Sequence, residues 1–200
     1  FLNKVRDLAN KKGIVLIFDE CSSGFRETFG GIFQKYNVTP DMVMFGKTIG
    51  NGYAITAVVG KKSVMESAQS TFISSTFWTE RIGPTAALTT LKIMERELSW
   101  EKITNTGKKM QSGWRTLAKN HKLKIDILGI PAMTSYSFNS TNALKYKTFI
   151  TQEMLKKGFL ASTIFYACTE HSEEHLNNYF NELDHIYNTI SKCESEILDI

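Results

Sequence analysis

Two short apolar runs, each followed by charged residues, constrain the fold of this sequence more than any other feature. Residues 14–18 read IVLIF and end at Asp19 and Glu20, and residues 42–45 read MVMF, with Lys47 two positions beyond. A continuous apolar run of this kind is typical of a strand that is buried on both faces in a parallel sheet. Because parallel strands present their ligand site at their carboxyl ends, we expect both charges at one crevice.

The chemistry of this pair allows two interpretations. A partly desolvated lysine has a lowered pKa and becomes a nucleophile, and a carboxylate beside it needs a cation because an unpaired buried charge is costly. An aspartate facing a ring nitrogen and a lysine bound to an aldehyde carbon are the contacts that pyridoxal phosphate requires of a protein. The alternative is that Asp19 and Lys47 simply form a structural ion pair with each other.

Five short blocks surround these residues in a fixed order: LIFDE at 16–20, GFR at 24–26, VTPD at 38–41, FGK at 45–47 and GNG at 50–52. Together they resemble the class III, pyridoxal-phosphate-dependent aminotransferases, in the branch that contains glutamate-1-semialdehyde aminomutase. The resemblance implies an α/β fold of fold type I. Residues 1–98 would be the C-terminal part of the large, mixed-sheet domain that binds the cofactor, and residues 99–200 a small C-terminal α+β domain.

The resemblance also implies roles for individual residues. Lys47 would form the internal aldimine with pyridoxal phosphate and shuttle a proton, while Asp19 would keep the pyridine nitrogen protonated. Thr76 would give its hydroxyl to the cofactor phosphate of a neighbouring subunit, so the working enzyme would be a homodimer. Arg26 is a tentative contact for a substrate carboxylate, although bracing of its loop against Asp19 or Glu20 is favoured because arginine readily pairs with carboxylates.

Several departures from the family pattern leave the substrate open beyond a small-molecule amine or amino acid. Family members usually carry valine, a polar residue and threonine where residues 21–23 read CSS, and proline where residues 53–54 read YA. Some members hold the substrate α-carboxylate with a C-terminal arginine, whereas all the arginines here fall before residue 116. Transamination and an internal amino shift on one molecule therefore both remain possible.

The match covers only the later half of the family pattern, and the chain opens within a helix, so we expect a fragment of a protein roughly twice as long. The Gly-Ser loop that binds the cofactor phosphate at a helix N-terminus in the family is not found in this sequence. We expect that loop, and the residue that stacks on the cofactor ring, to lie upstream of this sequence. An isolated fragment that lacks them is expected to be inactive.

Short motifs in the sequence also resemble those of other function classes. Residues 46–48, GKT, imitate the end of a nucleotide-hydrolase P-loop, but Asp41 stands where the loop needs glycine. Residues 50–52 lack the third glycine of a dinucleotide fingerprint and instead predict a tight turn after Lys47. A noncatalytic scaffold that keeps the fold is the other alternative, and Lys47→Ala would separate it from an enzyme.

The HSEEH pattern at residues 171–175 fits the spacing of an inverted zinc-protease motif. A helix that is capped by Ser172 and begins with Glu173 and Glu174 explains the same residues better, because a hydroxyl at the N-cap and carboxylates in the first turn both stabilise a helix. No metal is predicted.

Composition excludes other partners. The chain is 42% hydrophobic and 22% charged, and its net charge of +4 comes from scattered lysines rather than a basic stripe, so nucleic acid is not expected. No apolar run approaches the roughly 20 residues of a membrane span. The N-terminus also shows no charged-then-apolar signal pattern, so a cytoplasmic protein is expected. Three widely separated cysteines predict reduced thiols.

Hydrophobic periodicity predicts alternating helices and strands along the whole chain. The helices are expected over residues 1–12, 61–69, 86–98, 100–123, 144–157 and 173–192, and the strands, besides the two above, over residues 54–59, 125–138 and 159–166.

Overall fold

The computed structural model describes residues 1–74 and 76–195 of the 200-residue chain. It divides into two compact units, Phe1–Glu101 and Lys102–Ile200. The described residues of each unit form one three-stranded sheet with helices beside it. The identities predicted for residues 1–98 and 99–200, a cofactor-binding domain and a small domain, stay predictions.

The first unit contains a mixed sheet. Strands β1 and β2 are parallel, with Asp19 of β1 opposite Met44 of β2, whereas β3 is antiparallel to β2. The elements are α1 (Leu2–Lys12), β1 (Ile17–Asp19), β2 (Met42–Phe45), β3 (Ala57–Gly60), α2 (Lys62–Met65) and α3 (Ile82–Glu97), with short 3-10 turns at Ile32–Tyr36, Lys47–Ile49 and Glu66–Ser70. Helix α1 ends where Gly13 takes up the left-handed conformation, as the sequence predicted.

The prediction that residues 14–18 form a strand buried on both faces is wrong for this unit. Strand β1 begins only at Ile17, and Ile14, Val15 and Ile17 are 57%, 47% and 45% exposed. Within the described residues β1 lies at the edge of the sheet and pairs with β2 alone. Val43 and Phe45 of the central strand β2 are buried instead.

The core of the first unit fixes the segment after β1 against the end of β2. Its buried residues are Phe25, Val43, Phe45, Ile49, Ala87 and Met94. The rings of Phe25 and Phe45 lie 5.1 Å apart, and a Cβ on Gly24 would come within 2.7 Å of the Phe45 ring. Helix α3 also packs against the 3-10 turn that begins at Lys47. These contacts hold the segment that follows β1 against the end of β2.

The second unit is an α+β layer. A hairpin of β4 and β5, with Ile130 opposite Met133, is extended by β6, which is antiparallel to β5. The predicted strand at 125–138 is thus two strands, because Pro131 and Ala132 form the hairpin turn. The elements are α4 (Ser99–Asn120), β4 (Ile125–Ile130), β5 (Met133–Phe138), α5 (Ala143–Lys156), β6 (Ile164–Tyr166) and α6 (Glu173–Glu194).

Large aromatic side chains fill the core of this unit. The Trp114 indole donates a hydrogen bond of 2.9 Å to the hydroxyl of Tyr179, so its polar N–H is satisfied although the ring is completely buried. The other largest fully buried side chains are Tyr146, Ile150, Met154, Leu183, Tyr187, Ile190 and Thr134. A core of this size supports the α+β layer that the helical and strand periodicities predicted.

The predicted cap of the last helix is confirmed. The Ser172 hydroxyl accepts a hydrogen bond of 3.1 Å from the His175 backbone, and His175 Nδ1 accepts one of 3.3 Å from the Ser172 backbone.

Across the described ranges 1–74 and 76–195, no group of three or more His, Cys, Asp or Glu residues is arranged to hold a metal ion. Over the same ranges, no helix is both long enough and apolar enough to span a membrane.

A close backbone approach in the second unit gives a stability prediction. A Cβ on Gly107 of α4 would lie 1.8 Å from the Pro131 carbonyl oxygen at the hairpin turn. We expect Gly107→Ala to lower the free energy of unfolding by about 2 kcal/mol, because overpacking outweighs the gain of up to about 1 kcal/mol that alanine gives a helix. Urea unfolding followed by circular dichroism measures the change.

Gly113→Ala is the matched control, because the three atoms nearest to the added Cβ would all belong to the Phe180 ring, a side chain that can move. A loss at Gly113 equal to or larger than that at Gly107 would contradict the role assigned to the hairpin turn.

Candidate active site

The structure brings Asp19 and Lys47 to the same edge of the first sheet. The Glu20 backbone N–H donates to the Met44 carbonyl oxygen at 2.9 Å, which extends the β1–β2 ladder just past Asp19. Lys47 follows Met44 by three residues at the carboxyl end of β2. Both side chains are exposed and can therefore meet a ligand.

Asp19 carries a stabilised negative charge. Its Oδ1 accepts a hydrogen bond of 3.0 Å from the Cys21 backbone N–H. This bond, a second one to the Cys21 thiol and the positive charge of Lys47 together lower the pKa of the Asp19 carboxyl. Asp19 is thus ionised at neutral pH, and the same carboxylate raises the pKa of the Cys21 thiol.

Lys47 is held in an unusual backbone conformation. Its φ angle is +44°, in the left-handed region that residues other than glycine seldom adopt. The Lys47 carbonyl oxygen accepts hydrogen bonds from the backbone N–H groups of Gly50 at 3.2 Å and Asn51 at 3.1 Å, which close the turn. Observed strain of this kind is often found at functional sites.

The ammonium of Lys47 has Ser22 as its partner. Lys47 Nζ donates to the Ser22 hydroxyl. Among the ion pairs of the described residues, none joins Lys47 to Asp19. The simple structural ion pair that the sequence left open is therefore not the arrangement in this structure.

Glycines allow the backbone around Lys47 to pack closely. A Cβ on Gly46 would lie 3.3 Å from the Cys21 sulfur, and one on Gly50 would lie 2.3 Å from the Tyr53 carbonyl oxygen. Gly52 has a φ angle of +101°, which a side chain would strain. The tight turn that the sequence predicted after Lys47 is present.

Glu20, the carboxylate next to Asp19 in the sequence, is a structural residue. It is only 3% exposed, and its carboxylate accepts hydrogen bonds from the backbone N–H groups of Ile32 at 2.6 Å and Phe33 at 3.1 Å. These bonds begin the 3-10 turn Ile32–Tyr36. Alternation along the strand places Asp19 and Glu20 on opposite sides, and only Asp19 is exposed.

The two remaining predicted residues lie elsewhere in the first unit. Arg26 Nε donates to the Ser22 carbonyl oxygen at 2.7 Å, which ties Arg26 to the loop that carries the partner of Lys47. Thr76 is exposed in a turn, next to Phe77 and Trp78, which are 59% and 70% exposed. The roles of both residues stay predictions.

Sequence comparison places this chain in a known family. The family model described as aminotransferase class-III matches residues 1–185. A 3-aminobutyryl-CoA aminotransferase from Cloacimonas acidaminovorans is 34% identical over 182 residues, which are 88% of this chain and 44% of that protein. A glutamate-1-semialdehyde 2,1-aminomutase from Chlorobium limicola is 34% identical over 161 residues, 79% of this chain and 37% of that protein.

Solved structures share the fold. The FumI protein of Sphingopyxis sp. MTA144, in its pyridoxal-phosphate internal aldimine form, superposes with a TM-score of 0.90 at 20% identity, over 99% of this chain and 48% of that one. An S-selective transaminase from Arthrobacter sp. gives 0.81 at 20% identity, over 96% and 48%. The chain spans less than half the length of these relatives.

These similarities confirm both the fold of type I and the resemblance that the five sequence blocks suggested. The match extends over both units, because residues 1–185 include the strands of each sheet. The chain belongs to the class III aminotransferase family.

Proposed function

We propose that this chain is part of a pyridoxal-phosphate-dependent enzyme that transfers an amino group. The observation that supports this most directly is the placement of an ionised Asp19 and a strained Lys47 at one edge of the sheet. The relatives include both an aminotransferase and an aminomutase, so transfer to a second molecule and an internal shift are both retained.

The side chains of Asp19 and Lys47 match the two reactive groups of the cofactor. Pyridoxal phosphate has a ring nitrogen that is positive when protonated and an aldehyde carbon that reacts with a primary amine. An exposed, ionised carboxylate such as that of Asp19 suits the first group, and the exposed primary amine of Lys47 suits the second. The tight approach of Gly46 to Cys21 holds the two segments together.

Lys47 would act through Nζ in two ways. It would hold the cofactor covalently before the substrate amine displaces it, and the freed amine would then carry a proton to and from the reacting carbon. The bound cofactor supplies an electron sink for the negative charge that forms at the carbon beside the substrate amine. Asp19 would keep the ring nitrogen protonated, because its lowered pKa leaves it negative in the neutral range.

Arg26 and Ser22 would organise the loop around this lysine. Ser22 contacts the Lys47 ammonium through its hydroxyl and Arg26 through its carbonyl oxygen, so one residue links both cations. Arg26 is retained as a candidate contact for a substrate carboxylate. The substrate class is a small-molecule amine or amino acid.

The proposed working form is a cytoplasmic homodimer. Thr76 would reach the cofactor phosphate of the neighbouring subunit, and the exposed Phe77 and Trp78 beside it would be covered by that subunit. The cytoplasmic location stays a prediction from the sequence.

Borohydride trapping tests the proposal. The longest native form of the protein is incubated with pyridoxal phosphate, reduced with borohydride, digested and mapped by mass spectrometry. A pyridoxyl adduct concentrated on Lys47 is expected, because reduction makes the covalent link permanent. Lys62 serves as the reference, since it is an exposed lysine outside the site.

Lys47→Arg is the matched variant, because it keeps the positive charge but lacks a primary amine. The adduct at position 47 should disappear while the background at Lys62 is unchanged. A folded, dimeric protein in which Lys47 is modified no more than Lys62 would overturn the enzyme proposal in favour of a scaffold.

A further inference from the structure

The hydrogen bond between Lys47 and Ser22 places a hydroxyl on the amine nitrogen of the candidate site. Lys47 Nζ donates to Ser22 Oγ. An ammonium can only donate, so the Ser22 oxygen is the acceptor. Ser22 is half-buried whereas Lys47 is exposed, so the contact draws the end of a flexible side chain back onto the turn that follows β1.

The turn that carries Ser22 is itself fixed. Arg26 Nε donates to the Ser22 carbonyl oxygen at 2.7 Å. A few residues further on, the Phe25 ring packs in the core against Phe45, with ring centroids 5.1 Å apart. The acceptor oxygen is therefore attached to a backbone segment that is held by a side chain on one side and by the core on the other.

The other end of the contact is fixed at its backbone. Lys47 lies in a turn that is closed by the backbone amides of Gly50 and Asn51. The freedom that remains is rotation of the lysine side chain between Cβ and Nζ. One hydrogen bond at Nζ therefore selects one position of the amine among the rotamers of that side chain.

Ser22, and not Asp19, holds the amine. In the described part of the chain, the ion pairs include no contact between Lys47 and Asp19, and Asp19 Oδ1 accepts a hydrogen bond from the Cys21 backbone N–H at 3.0 Å. A neutral hydroxyl binds an ammonium more weakly than a carboxylate does. The contact with Ser22 can therefore be broken and formed again during a reaction.

We propose that Ser22 is a positioning residue, which holds the Lys47 amine during the part of the reaction in which that amine is free and carries a proton. This inference rests on the function proposed above. Proton transfer needs donor and acceptor in a defined geometry, and a lysine side chain that rotates freely meets that geometry only part of the time. Ser22 itself makes and breaks no covalent bond.

The contact has opposite effects on the two roles of Lys47. It stabilises the free amine and so assists proton transfer, but Nζ must leave the hydroxyl before it can form a bond to carbon. A single hydrogen bond is worth a factor of about three to ten in an equilibrium. Removal of the hydroxyl should therefore make the Lys47 amine more reactive and, at the same time, make turnover slower.

Ser22→Ala tests the inference in the longest native form of the protein. Alanine removes the hydroxyl but keeps the backbone carbonyl that Arg26 contacts. Trace labelling with acetic anhydride, without pyridoxal phosphate, followed by peptide mass spectrometry gives the reactivity of Lys47 relative to the exposed Lys62. This ratio should rise at least about threefold in Ser22→Ala. With the cofactor present, kcat for an amino donor should fall about tenfold.

Ser22→Thr is the rescue variant, because threonine keeps the hydroxyl, and it should match the unsubstituted protein in both measurements. Ser23→Ala is the matched control, since the Ser23 hydroxyl donates to Glu20 Oε2 at 3.4 Å, and it should change neither measurement. If circular dichroism shows that Ser22→Ala does not fold, Ser22→Cys gives the same comparison, because a thiol of similar shape accepts hydrogen bonds only weakly.

An unchanged labelling ratio or an unchanged kcat in Ser22→Ala overturns the inference, and so does a Ser22→Thr variant that behaves like Ser22→Ala. Borohydride trapping on the unsubstituted protein separates this failure from a failure of the proposed function. Without a pyridoxyl adduct on Lys47, both proposals are overturned. An adduct on Lys47 together with equal labelling of the unsubstituted protein and Ser22→Ala overturns the role of Ser22 alone.

Discussion

Lys47→Ala is expected to abolish the absorbance band of lysine-bound pyridoxal phosphate and to lower the turnover number by at least about a thousandfold. The loss is large because one side chain is assigned both the covalent attachment and the proton transfer, and alanine can do neither. The backbone also changes little, since alanine can replace lysine in the turn closed by the Gly50 and Asn51 amides. The measurement is a spectral titration with pyridoxal phosphate together with steady-state turnover of an amino donor.

Lys62→Ala is the control, because it removes an exposed lysine from α2 without touching the site and should change neither quantity. Lys47→Arg should behave like Lys47→Ala, since a guanidinium keeps the charge but does not form the covalent link. Full turnover in Lys47→Ala would reject the assignment of the lysine. Nucleotide binding that depends on Lys47 would instead favour the P-loop alternative.

The elements set by local chemistry could be predicted from the sequence. Strand β2 occupies residues 42–45 as predicted, and α1 ends at Gly13, because glycine adopts the left-handed conformation easily. The candidate site residues could also be located in the sequence, because the five spaced blocks that resemble the family pattern contain Asp19 and Lys47. The family match then confirmed the fold that those blocks implied.

Features that depend on contacts with distant parts of the chain could not be predicted from the sequence. The apolar run 14–18 reads the same whether the strand has one neighbouring strand or two. Only the sheet order shows that β1 lies at an edge in the described residues. Asp19 and Glu20 are adjacent carboxylates in the sequence, and only the backbone amides of Ile32 and Phe33 identify Glu20 as buried and structural. The strain at Lys47 likewise appears only in the backbone angles.

Asp41 belongs to the VTPD block of the sequence, and in the structure three donors of the first unit converge on it. Its carboxylate accepts hydrogen bonds from Arg6 at 2.9 Å, the Leu16 backbone N–H at 2.8 Å and Lys61 at 2.8 Å. The Asp41 side chain is 12% exposed and that of Arg6 14%, so this is a largely buried ion pair. It joins α1, the segment before β1 and the segment after β3, which are distant in the sequence.

Asp41→Ala should therefore lower the free energy of unfolding by about 3 kcal/mol, because removing one partner leaves the other charge buried without compensation. Urea unfolding followed by circular dichroism measures the loss. Glu153→Ala, which removes a surface partner of Lys156, is the matched control and should cost at most about 0.5 kcal/mol. A loss at Asp41 as small as that at Glu153 would contradict the structural role.

The pH dependence of this loss has a definite sign. The hydrogen bond from the Leu16 amide, with those from Lys61 and Arg6, holds the pKa of Asp41 far below its ordinary value near 3.9. The stability that ionised Asp41 contributes is therefore fully present above that ordinary value and is lost as the pH falls toward the folded pKa. The difference between the unsubstituted protein and Asp41→Ala should be constant from about pH 7 to 5 and smaller by about 1 kcal/mol at pH 3. A difference that stayed constant down to pH 3 would show that the contribution of Asp41 does not depend on its charge.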